Sequence, residues 1–154
     1  MSTRRGPWGG ALTMLALALA AGCVQPVGPA RSYDDFEHKA KDTAETVLSS
    51  VETARLATVA TGDDDVFPPY VSVLLSDVEH DATGAQSTFD GIQPPDRASD
   101  ELRDELDPIL ERATGLLADA RIAARRADLE AVTRLRGRLA RTGERLDRFV
   151  QEHE

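Results

Sequence analysis

Residues 71–92 read VSVLLSDVEHDATGAQSTFDGI, and the spacing of their apolar side chains decides the fold. Val71, Leu75, Val78, Ala82, Ala85, Phe89 and Ile92 recur at steps of 4, 3, 4, 3, 4 and 3. An α-helix turns once in ~3.6 residues, so these steps keep every one of those side chains on one face. In a strand the odd steps would throw them to opposite faces. The stretch is therefore an amphipathic helix with a seam packed against other helices. Pro68 and Pro69 stand at its start, where a missing N–H costs nothing, and Pro94 and Pro95 bar its continuation, so a helix over about 69–92 is expected.

The same period runs outward in both directions. Phe36, Ala40, Ala44, Val47, Val51, Ala54 and Thr58 predict a helix over about 33–61, with Ser32 as N-cap, Asp34 and Asp35 in its first turn and Gly62 at its end. Leu102, Leu106, Ile109, Ala113, Leu116, Ala120 and Ala123 predict a third helix over about 98–125, for which Ser99 is the candidate cap. Pro108 falls inside it. The seam keeps its phase across the proline, which favours one kinked helix, with a new start capped by Asp107 as the alternative. Val132, Leu135, Leu139, Thr142, Leu146 and Phe149 place a fourth helix over about 128–151. The phase is lost between Ala123 and Val132, so a reversal at Arg126–Asp128 is expected, with Asp128 as the next cap. Neither Gly nor Pro marks that turn, and one unbroken helix over about 98–150 is the alternative. Four amphipathic helices joined by short connections predict an all-α, antiparallel up-down four-helix bundle over residues 32–152.

The 154 residues are one domain's worth, and a hydrophobic fraction of 41% with 29% charged residues suits a packed helical domain. Acidic residues outnumber basic ones by 27 to 18, which speaks against nucleic acid as a partner. Cys23 is the single cysteine, so an internal disulfide and any multi-cysteine metal centre are excluded.

The first 22 residues have another character. Arg4 and Arg5 precede an apolar run from Ala11 to Ala21, and the small residues Ala20, Ala21 and Gly22 lead into Cys23. The run is shorter than the ~20 residues that a bilayer requires, which fits a cleaved signal segment, with an ordinary secretory signal or a cytosolic N-terminal helix as the alternatives to a more specialised signal. Leu19-Ala20-Ala21-Gly22-Cys23 resembles the lipobox of bacterial lipoproteins, although the position three before the cysteine is most often Leu and here is Ala20. The resemblance covers residues 1–23 only. It implies cleavage between Gly22 and Cys23, a diacylglyceryl group on the Cys23 sulfur, and a protein held by lipid on the extracytoplasmic face of the cell membrane. Residues 24–31, VQPVGPAR, would then be a short tether. Loss of residues 1–22 would leave 16 basic against 27 acidic residues, a net charge of −11, so lipid and not electrostatics would have to supply the attachment.

Charge is unevenly placed. Residues 121–148 hold nine Arg and four acids, whereas residues 23–120 hold seven basic and 21 acidic residues. Arg134, Arg138, Arg141, Arg145 and Arg148 step by 4, 3, 4 and 3 along one side of the last helix. This line reads either as an anion- or partner-binding stripe or as flanking positions that pair with acids of neighbouring helices.

Chemistry is harder to find. A di-iron bundle needs two Glu-x-x-His motifs, and the chain offers one Asp77-x-x-His80, with His80 turned away from the seam. Asp63, Asp64 and Asp65 lack the alternation of a calcium loop and suit the start of the following helix. His38, His80 and His153 are scattered, and no nucleophile constellation or glycine-rich phosphate loop accompanies them. Arg55 and Glu79 flank their seams, either as a part-buried pair or as two exposed side chains. The expectation is a non-enzymatic envelope lipoprotein without a cofactor, whose partners are the membrane, through Cys23, and an envelope protein. A small-ligand or metal-binding bundle is the alternative.

Overall fold

A computed structural model describes residues 28–62 and 68–153. Four helices account for most of them: α1 Tyr33–Gly62, α2 Pro68–Asp90, α3 Arg97–Arg125 and α4 Leu129–Glu152, with no strand among the described residues. Side-chain contacts give the direction of each. The rings of Phe36 and Phe89 lie 5.2 Å apart, joining the start of α1 to the end of α2. Arg103, near the start of α3, reaches carbonyls at the end of α2, and His153, just past α4, meets Glu37 near the start of α1. Successive helices are therefore antiparallel, and α4 closes against α1. α1 and α3 run parallel and touch across the middle, whereas α2 and α4 do not meet. The bundle is a rhombus with α1 and α3 on its short diagonal.

The predicted seams form the core. Phe36, Val47, Val51, Leu75, Phe89, Leu106, Leu139, Leu146 and Phe149 are fully buried, each large side chain contributing ~1.5–3 kcal/mol by leaving water. Ala40, Ala44, Ala54, Ala82, Ala113 and Ala120 are buried between them and let the helix axes approach closely. Ala85 is only half-buried. Leu110 and Leu117 are fully buried although neither lies on the predicted seam of α3. The reason is topological: α3 touches α1, α2 and α4, so its buried face is wider than a single seam. At Gly143 α4 lies close against side chains of α1, since a Cβ there would stand 2.6 Å from Glu52 Oε1 and 3.7 Å from a Leu48 methyl.

Helix ends follow local hydrogen bonding, with one correction. Ser32 caps α1 through its hydroxyl, which accepts from Asp35 N at 3.2 Å. Asp96, and not Ser99, caps α3. Its backbone is extended, and its Oδ1 accepts from both the Ser99 amide and the Ser99 hydroxyl at 2.9 Å. These bonds hold the Asp96 carboxyl below the usual carboxylate range. Ser99 itself is fully buried in the first turn. α2 stops at Asp90, before the Pro94-Pro95 pair, with the Ile92 amide folded back on the Phe89 carbonyl at 2.9 Å.

α3 continues through Pro108, which is exposed, on a side where water reaches the carbonyl that its ring leaves without a donor. α3 and α4 are separate helices. The Asp128 amide bonds back to Ala123 O at 3.0 Å and the Ala127 amide to Ala124 O at 3.1 Å, which is a Schellman closure. Ala127 fills its left-handed position at φ 51°, where glycine is the usual residue. Asp128 then caps α4 by accepting from Ala131 N at 2.9 Å.

At the other pole the chain enters along the end of α2. Ala30 is buried, and Gly28 and Pro29 border a cleft shared with Ser87, Gly91 and Ile92.

Candidate functional site: the groove between α3 and α4

At 100° per residue, Arg134, Arg138, Arg141, Arg145 and Arg148 fall within ~80° of one another and ~110° round α4 from its buried seam. That places the line along the flank facing α3. From α3 the same flank carries Glu105, Ile109, Arg112, Gly115, Asp119 and Ile122. Three shallow cavities follow one another along this groove. The first lies at the α3–α4 turn beside Ile122 and Arg134, the second beside Gly115 and Arg138, and the third beside Glu105, Arg145 and Arg148.

The arginines are used unequally. Arg134 pairs with Glu130 of its own helix, and Arg138 reaches Asp119 of α3 at 3.7 Å. Both pairs are exposed and each contributes at most ~1 kcal/mol. Arg141, Arg145 and Arg148 have no ion pair among the described residues. Of the five, therefore, Arg138 alone has an acid of a neighbouring helix, and three guanidinium groups face water. A guanidinium offers five N–H donors in a planar fork suited to carboxylate or phosphate, so a row of free ones can hold an elongated anionic surface.

The opposite flank of α3 is closed. Arg121 grips Glu79 of α2 in a two-pronged pair, with Nη2 donating to Oε1 at 3.1 Å and Nε donating to Oε2. The hydrogen bonds and charge of Glu79 raise the pKa of Arg121. Arg55 and Glu79 do not pair with each other as the sequence allowed. Arg55 instead donates to Glu52, three residues earlier on α1, because α3 and not α1 supplies the cation beside Glu79.

Arg103 was not singled out by the sequence. It donates to the carbonyls of Asp90 and Phe89, each at 3.3 Å, and to that of Ile92, and it stacks 5.4 Å from the Phe36 ring and 5.0 Å from the Phe89 ring. One guanidinium thus donates to the carbonyls of Asp90 and Ile92, adds a second donor to that of Phe89, and ties α1, α2 and α3 together. Its Nε and the Oδ1 of Asp107 are buried without a hydrogen-bond partner, and burial pushes the Asp107 carboxyl above its usual range.

His153 Nδ1 lies 2.9 Å from Glu37 Oε1, which also accepts from the Tyr33 hydroxyl at 3.1 Å. Burial, then the bond to Glu37, raises the Tyr33 phenol. His38 and His80 are exposed, as is Asp77. Among the described residues no group of three or more His, Cys, Asp or Glu is placed to hold a metal ion. Among them, too, no helix is long and apolar enough to cross a membrane. Asp63, Asp64, Asp65, Gly22 and Cys23 lie outside the described residues. No protein-family model, no curated protein and no solved structure matches this chain.

Proposed function

We propose that this chain is an extracytoplasmic lipoprotein, anchored through lipid on Cys23, that performs no chemistry of its own. It offers the arginine-lined groove between α3 and α4 to an acidic protein of the cell envelope. The anchor rests on the resemblance of residues 19–23 to a lipobox. The path of the chain suits it. Gly28 and Pro29 leave the bundle at the pole where α1 and α3 begin, and five residues from Cys23 at ~3.3–3.6 Å each hold that pole within ~18 Å of the bilayer. The groove then runs away from the membrane along the side of the bundle.

The observation that carries the partner reading is the free state of Arg141, Arg145 and Arg148 in a chain with 27 acidic residues. Internal packing leaves their charge unspent. The test is site-specific crosslinking from the groove in native membranes, with three forms compared. Arg141→Glu with Arg145→Glu and Arg148→Glu should lose the crosslinked partner while stability stays within ~1.5 kcal/mol, about 0.5 kcal/mol for each exposed charge. Cys23→Ala should lose acyl labelling and stay uncleaved, keeping residues 1–22. Unfolding of the triple variant, or an unchanged crosslink, would overturn the groove; normal acyl labelling of Cys23→Ala would overturn the anchor.

A further inference from the structure

We infer that the partner segment seated in the α3/α4 groove is an acidic α-helix whose carboxylates recur at steps of 3 and 4. This rests on the reading of the groove as a site for an acidic protein and goes beyond it by specifying the partner's shape. The five arginines of α4 lie within 15 residues and average 3.5 residues per step, which is ~5.3 Å along the axis. A second helix lying along the groove repeats the carboxylates of one face at that same interval. An extended strand repeats its same-face side chains every ~6.6–6.8 Å and is half a repeat out of register after two steps. The stripe therefore matches a helix and mismatches a strand.

The opposite wall agrees with that occupant. Gly115 faces open space, with nothing within 4 Å of where its Cβ would be, so the middle of the α3 wall is low and a helix can lie close to Arg138. Ile122, exposed to 38%, gives one end an apolar contact. Glu105 and Asp119, on the α3 side, repel carboxylates that stray from the α4 line and so set the rotation of the docked helix. Arginine forks then meet the carboxylates in two-pronged pairs.

The experiment uses the full-length protein in detergent and three probes. One is a helix-forming peptide with Glu at steps of 4, 3, 4 and 3; the second has the same composition with Glu at every second position; the third is inorganic polyphosphate. Fluorescence anisotropy is read at low and at physiological ionic strength. The helically spaced peptide should bind ~10-fold more tightly than the respaced one, a difference of ~1.4 kcal/mol. That preference should vanish in the Arg141→Glu, Arg145→Glu, Arg148→Glu protein. Gly115→Leu, which fills the low wall, should weaken the same peptide ~10-fold while raising the melting temperature, because a mid-helix glycine with open space around it gives way to a strong helix former. Equal affinity for the two peptides, or preference for polyphosphate, would overturn the helical partner while leaving a groove for anions. Failure of every probe, or binding that ignores the triple reversal, would overturn the acidic-partner reading as well.

Discussion

α3 meets α2 and α4 in different ways. Towards α2 it is bound at three levels: Arg103 on the carbonyls of Phe89, Asp90 and Ile92, Thr114 Oγ1 on Gln86 Oε1 at 3.1 Å, and Arg121 on Glu79. Towards α4, among the described residues, it makes one ion pair, Arg138 to Asp119 at 3.7 Å, above a line of shallow cavities. Both flanks are rich in arginine. The difference lies in what each guanidinium faces. Arg103 and Arg121 are partly shielded and meet several acceptors, so their bonds hold the fold together. Arg141, Arg145 and Arg148 stand in water without an ion pair among the described residues, and the pairs of Arg134 and Arg138 are exposed enough to gain little.

Removing Arg103 should break this contrast most severely. Arg103→Leu keeps apolar bulk beside Phe36 and Phe89 but removes the side-chain donor from the carbonyls of Asp90 and Ile92 and the second donor from that of Phe89. A loss of ~2–4 kcal/mol is expected in urea denaturation. A loss below that of an ordinary surface substitution would mean that the closed flank rests on apolar packing alone.

A smaller effect, of opposite sign, is expected where the open flank begins. Ala127→Gly relieves a left-handed alanine at φ 51° in the turn between α3 and α4 and should stabilise the protein by ~1 kcal/mol, seen as a higher melting temperature. No gain would show that the turn is not a weak point of that flank.

The smallest effect depends on pH. Burial raises the Asp107 carboxyl, so the folded state favours its protonated form. Its contribution is complete below the unfolded pKa and is lost as pH rises through the folded value, leaving a cost at neutral pH. Asp107→Asn should therefore raise the melting temperature at pH 7, and the gain should shrink as the medium is acidified towards the ordinary carboxylate range. A gain independent of pH would mean that shape and not charge limits this position.

The sequence disclosed the helices and their inward faces because both depend on neighbours a few residues away. Val71 to Ile92 lie as their spacing requires, apart from the half-buried Ala85. Where legibility failed, the cause lay further along the chain. Leu110 and Leu117 were missed because only the assembled bundle gives α3 three neighbours. Arg103 was missed because its acceptors are 11–14 residues away across a turn. Both Asp96 and Ser99 are capping residue types before the apolar run of α3, and only the folded backbone, extended at Asp96 and helical at Ser99, decides between them. Gly143 gave no local signal at all. Its meaning, a close approach to Glu52, exists only once α4 lies on α1.

By itself the sequence determined that this chain makes amphipathic helices, which residues each turns inward, and that its arginines are gathered towards one end. Tertiary structure alone decided how those arginines are spent. Periodicity follows from the local geometry of the backbone, whereas an ion pair requires two side chains from distant segments to arrive at the same place. Arg121 arrived beside Glu79 and became part of the fold. Arg141, Arg145 and Arg148 arrived on a flank where the neighbouring helix left them water, and they stayed outside the internal pairing of the fold.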